Sequence, residues 1–218
     1  MQIKNTMIKF HNIHLSYNGK KIIQDLSFEI KQGEKVVFLG KSGSGKSSLF
    51  SLILGFIEPS EGEVIFDGMC VDEKSAWDIR KKIAYIDQDV SIGTGKILDL
   101  LNVVSRFKTN VHFDYTQGKI NDLLRYFEFE SDVINKNIED LSGGERQRLA
   151  IVISVLLKRN IFFLDEVTSA LDKHLKKKVA NYFVERKDWT SLVISHDPVW
   201  IESPSVKVFN LENGEWKQ

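Results

Sequence analysis

The sequence predicts an α/β fold with an antiparallel β subdomain at its N-terminal side and an α-helical subdomain inserted over approximately 90–157. Three observations predict it. Period-two alternation runs through residues 8–30, as in Leu26, Phe28 and Ile30 against Ser27, Glu29 and Lys31. Short continuous apolar runs at 36–39, 83–86, 161–164 and 191–194 have the length and composition of strands buried on both faces. Between the second and third of these runs the spacing becomes helical, through Ile97, Leu100, Leu101, Val104, Ile120, Leu123, Leu124 and Phe127.

Taken in order, residues 8–30 read as a hairpin, because Asn18-Gly19 is a strong signal for a turn with positive φ. A second turn at Lys31-Gln32-Gly33-Glu34 leads into the strand at 36–39, which runs directly into a glycine-rich loop; residues 46–55 read as the helix that follows. Pro59, Gly62 and Gly68 punctuate a further hairpin containing 63–66, and 83–86 is a buried strand. Residues 94–157 are expected to be helical with no strand, and strands resume at 161–164, 191–194 and 206–209. The basic run 173–178 suits the solvated face of a helix. With no internal repeat or long linker, the chain reads as one domain, 1–218.

At 218 residues and 42% hydrophobic, the chain can bury one sizeable core. Thirty basic and thirty acidic side chains cancel, which removes the broad positive footprint of a dedicated nucleic-acid binder; no nucleic-acid partner is expected. Cys70 is the sole cysteine and residues 1–6 lack a signal-peptide pattern, so a cytoplasmic setting is the expectation. No apolar run approaches the roughly 20 residues needed to span a bilayer. The longest, Ile151 to Leu157, is stopped by Lys158-Arg159, so any membrane crossing belongs to another polypeptide.

Chemistry concentrates in three strings. Gly40-Lys41-Ser42-Gly43-Ser44-Gly45-Lys46-Ser47, followed by Ser48, joins a strand to a helix. Its glycines allow successive N–H groups to surround phosphate, Lys46 can reach the β- and γ-phosphates, and the Ser47 hydroxyl can ligate Mg²⁺. A glycine-rich surface turn is the bland alternative. Ile161-Phe162-Phe163-Leu164-Asp165-Glu166 is an apolar strand ending in two acids, suited to a magnesium partner (Asp165) and to polarising a water (Glu166), although adjacent acids also form ordinary solvated turns. Leu141-Ser142-Gly143-Gly144-Glu145-Arg146-Gln147 opens a helix with Ser142 as N-cap and with N–H groups accessible at Gly143 and Gly144; capping alone does not require the Glu-Arg-Gln that follows.

Together these strings resemble the ATP-binding subunit of an ABC (ATP-binding cassette) transporter, over essentially the whole chain. Residues 40–47 match the Walker A loop, Gln88 the Q-loop, 141–147 the signature, 161–166 Walker B, Ser169-Ala170-Leu171-Asp172 the D-loop and His196 the switch histidine; Tyr17 matches the adenine-stacking aromatic. The resemblance implies a P-loop NTPase core (RecA-like) and ATP with Mg²⁺ as ligands. It also implies a head-to-tail dimer, expected as a homodimer, that sandwiches ATP between Walker A of one subunit and Ser142, Gly143, Gly144 and Gln147 of the other. Glu166 would act as general base, Gln88 would contact Mg²⁺ and water, Ser47 and Asp165 would complete the metal site, and His196 would hold the γ-phosphate. The partner would be a separate transmembrane permease, placing the subunit on the cytoplasmic face of the membrane. Val167 stands where many relatives have proline, a change in loop shape rather than chemistry. The cassette is also similar to bacterial iron-export subunits. A soluble ABC ATPase for iron–sulfur assembly or lipoprotein extraction is the competing expectation.

Overall fold

The computed structural model describes residues 6–217. Strands β1 (Thr6–Tyr17) and β2 (Lys20–Lys31) form the expected hairpin, turning at Asn18 (φ 49°) and Gly19 (φ 78°). After β3 (Lys35–Leu39) comes helix α1 (Lys46–Ile53), two residues shorter than expected because the chain leaves the helix at Leu54 and turns at Gly55 (φ 62°). β4 (Glu61–Phe66) and the two-residue β5 (Met69–Cys70) join the hairpin in a four-stranded antiparallel sheet of order β2-β1-β4-β5.

Helix α2 (Ala76–Lys82) precedes β6 (Ile83–Ile86). The sequence pattern gave no helix here, since only Ala76 and Ile79 are buried and no apolar stripe forms. Helices α3 (Ile97–Arg106) and α4 (Gln117–Tyr126), with short 3₁₀ turns, lead to α5 (Gly143–Leu156). Among the described residues from 87 to 160 no strand occurs, apart from an isolated Lys96–Asn137 bridge. β7 (Ile161–Asp165), α6 (Lys173–Val184), β8 (Thr190–Ile194) and β9 (Val206–Asn210) follow, and then β10 (Glu215–Lys217), a strand not foreseen from the sequence.

The second sheet has order β10-β9-β3-β8-β7-β6, parallel except for β10. Its inner strands serve two cores at once, because alternate residues point to opposite faces. Val36, Phe38, Phe163, Leu192 and Ile194 face α1 and the antiparallel sheet, whereas Val37, Phe162, Leu164 and Val193 face α5, α6 and the other helices. In the first core Phe50 of α1 stacks on Phe163, with ring centroids 4.7 Å apart. This packing fixes α1 against β7, and therefore the glycine loop against Asp165 and Glu166.

Candidate functional site

The phosphate-loop segment wraps the N-terminus of α1. Gly45 is its N-cap in the left-handed region (φ 93°), supplies no side-chain cap, and the first turn holds no acidic residue. The first N–H groups of α1 therefore keep their capacity for an external anion. A Cβ on Gly45 would stand 2.9 Å from Ile22 Cγ2, so the β1–β2 hairpin presses on the loop where only glycine fits. Lys46 folds back over the loop and donates to the carbonyls of Gly40 (2.7 Å) and Lys41 (2.9 Å), while Ser44 N–H donates to Lys41 O (3.2 Å). Gly40, Lys41 and Ser44 thus frame the loop rather than line the cavity above it.

That cavity measures about 870 Å³. Its floor is Ser42, Gly43, Gly45, Lys46, Ser47 and Ser48; β7 brings Asp165 and Glu166, the segments after β6 and β8 bring Gln88 and His196, and the hairpin brings Tyr17. Tyr17 is 73% exposed, Gln88 and His196 are also exposed, and each has room to meet a ligand. Sequence reasoning missed Ser16, Ile22, Ile57 and Glu58 on the same walls; they belong to no phosphate motif, and only the folded hairpin and the segment after α1 bring them there.

Ser47 Oγ donates to Asp165 Oδ2 at 2.9 Å, while the buried Asp165 Oδ1 meets no donor. Burial pushes the Asp165 carboxyl up; the Ser47 hydrogen bond opposes this, and the charges of Asp87 and Glu166 reinforce it. A buried carboxylate oxygen without a donor calls for a cation. Glu166 adopts φ 48°, a conformation costing a non-glycine residue about 1–3 kcal/mol. Its N–H donates to Ile194 O (2.9 Å) and its carbonyl accepts from Ser169 N–H (3.0 Å), which pins the turn.

The Leu141–Gln147 string lies outside the cavity. Ser142 caps α5 in a capping box: its hydroxyl accepts from Glu145 N–H (3.2 Å), and Glu145 Oε2 accepts from Ser142 N–H (2.9 Å). Ser142 and Gly143 are exposed. Gly144 is forced by close approach, since a Cβ there would stand 2.9 Å from Ala170 O. Gln147 departs from the expected nucleotide-facing position. It is buried, 5% exposed, and its carboxamide points into the Ser169-Ala170 turn of its own chain. Val167 is buried among the helical-side core residues, a packing role.

A family model described as ABC transporter matches residues 23–169. The ATP-dependent lipid A-core flippase of Haemophilus influenzae (strain 86-028NP) is 30% identical, over 97% of this chain and 37% of its own; the chain thus spans little more than a third of that relative's length. Among solved structures, the dimeric structure of MJ0796, a bacterial ABC transporter cassette, aligns with TM-score 0.79 at 27% identity, covering 97% of both chains. A bacterial Atm1-family ABC exporter with ATP bound aligns with TM-score 0.81 at 22% identity over 100% of this chain and 39% of that one, a likeness of fold. The chain belongs to the ABC transporter family and is an ATPase cassette of it.

Proposed function

We propose that this cassette binds Mg-ATP in the cavity, hydrolyses it as one half of a head-to-tail dimer, and drives a separate membrane permease from the cytoplasmic face. The observation that carries the reading is a division of parts. The phosphate loop, Asp165, Glu166, Gln88 and His196 converge on one cavity, whereas the exposed Ser142-Gly143 turn stands apart from it, available to a second copy. Among the described residues no helix is long and apolar enough to cross a membrane, consistent with a permease on another polypeptide or segment. The dimeric cassette among the solved structures supports the pairing of two copies.

The residues fit a divalent ion held jointly with the substrate. Among the described residues no group of three or more His, Cys, Asp or Glu side chains is arranged to hold a metal ion by itself, and Mg²⁺ commonly takes one or two protein oxygens with phosphate oxygens completing the shell. Ser47 Oγ and Asp165 would hold it, and there it would neutralise charge building on the phosphates. Lys46 would exchange its loop carbonyls for the β- and γ-phosphate oxygens, and Tyr17 would stack on adenine. Gln88 would position the attacking water and His196 would bind a γ-phosphate oxygen. Glu166 would accept the proton of that water as its oxygen bonds to phosphorus and the bond to ADP breaks. Ser142, Gly143 and Gly144 of the second copy would donate to the same γ-phosphate.

The test is phosphate release by the purified chain, alone and with a co-encoded membrane protein in vesicles. Turnover stimulated by the membrane protein is the expected result. Turnover that a soluble scaffold protein stimulates, and the membrane protein does not, would replace transport with an assembly role.

A further inference from the structure

Three hydrogen bonds and one steric contact converge on the first turns of α5. Gln147 Nε2 donates to Ser169 Oγ (2.9 Å) and more weakly to the carbonyl of Glu166 (3.4 Å), and Gln147 Oε1 accepts from the Ala170 N–H (3.1 Å). One turn earlier, Gly144 lies so close to Ala170 O that no side chain fits between them. All of these partners belong to the turn that starts at Glu166, whose φ of 48° requires support from its surroundings.

We infer that Gln147 is a positioning residue which keys the Ser142-Gly144 turn to the Glu166 turn of the same chain. The inference rests on the proposed function for the roles of those two turns. The carboxamide is matched to this place, because Ala170 needs an acceptor while Glu166 O and the serine hydroxyl accept, and one planar amide presents both functions. Its burial leaves it no path to a nucleotide. In the head-to-tail dimer the Ser142-Gly144 turn contacts the ATP of the second copy, while Glu166 acts on the ATP in its own cavity. Gln147 therefore joins the two sites through a few buried bonds. Removing them loosens the Ser169-Ala170 end of the turn, whose Ser169 N–H holds the Glu166 carbonyl, and so shifts the carboxylate relative to the water without touching the phosphate loop.

Gln147→Met keeps the volume and removes the bonds. Its melting temperature confirms folding, Mg-ATP affinity is read with a fluorescent analogue, and turnover is measured at saturating ATP. The expected result is affinity within about twofold of wild type with kcat lowered about 10–100-fold, the loss typical of a misplaced catalytic group. Hydrogen exchange of the Ala170 amide should quicken in parallel. Unchanged kcat with unchanged exchange overturns the inference, and so does an affinity loss as large as the kcat loss, which marks a direct nucleotide contact. If Gln147→Met fails to fold, Gln147→Glu keeps the acceptor for the Ala170 N–H and removes both donated bonds, to Ser169 Oγ and Glu166 O, and is read by the same comparison of kcat with affinity. A wild-type chain that binds ATP and never turns it over sinks the proposed function instead, while the exchange comparison still reports on the bonds of Gln147.

Discussion

Lys46 sits in the loop with its ammonium on two carbonyls, Gly40 O and Lys41 O, so it is already placed for oxygen ligands and needs little reorganisation to receive phosphate. Lys46→Ala is expected to weaken Mg-ATP binding by about 100-fold or more, a charge-assisted contact being among the strongest a site can lose. Equilibrium binding of a fluorescent ATP analogue measures it, and unchanged affinity would sink the phosphate-loop assignment. Glu166 calls for a different outcome. Glu166→Gln should leave binding intact and lower kcat by about 10²–10⁴-fold, the usual worth of a general base, as read by phosphate release. At this scale the sequence was most informative: Lys46, Ser47, Gln88, Asp165, Glu166 and His196, drawn from separate segments, all meet at one cavity. Gln147 was misplaced because position in a motif does not say which side of a helix is buried. Its orientation follows from the Ala170 turn, which arrives from 23 residues later in the chain.

The elements hold the site through bonds between chain segments. Arg80 of α2 donates through Nε to Leu54 O (2.6 Å) and through Nη2 to Gly55 O (2.8 Å), capping the C-terminal end of α1 from outside. Arg80→Ala should cost about 1–3 kcal/mol in urea unfolding, the cost of leaving partly buried carbonyls without a donor. The capping box of α5 adds a pH dependence. The Ser142 hydroxyl and backbone N–H hold the Glu145 carboxyl below its ordinary range. A carboxyl whose folded pKa is lowered contributes stability above its unfolded pKa, about 4.3, and loses it as pH falls through the lower folded value. Glu145→Gln should therefore cost about 0.5 kcal/mol at pH 7 and progressively less as pH falls below about 4, a trend that unfolding curves across that range resolve. The hairpin, the buried strands and the helices after residue 94 were legible from periodicity, because each buries a regular face. Strand β5 is the return strand of the hairpin that Gly68 marks, whereas helix α2 and strand β10 were not legible, since they are short and held mainly by partners such as Leu54, Gly55 and Phe209 that no local pattern announces.

Across the whole molecule, two cores share one sheet, and α1 is held between the sheets while α5 packs on the other side. That layout places the phosphate loop and the exposed Ser142-Gly143 turn on different parts of the surface, so one chain does not close a nucleotide between them. The balanced charge, thirty basic and thirty acidic residues, lets two copies approach without net repulsion. Nucleotide should therefore drive association, which light scattering on size-exclusion chromatography of Glu166→Gln reads, with and without Mg-ATP. The expected result is the 25.0 kDa monomer without nucleotide and twice that mass with it. A chain that binds Mg-ATP yet keeps the monomer mass at every concentration, alone and with the co-encoded membrane protein, would contradict the shared site.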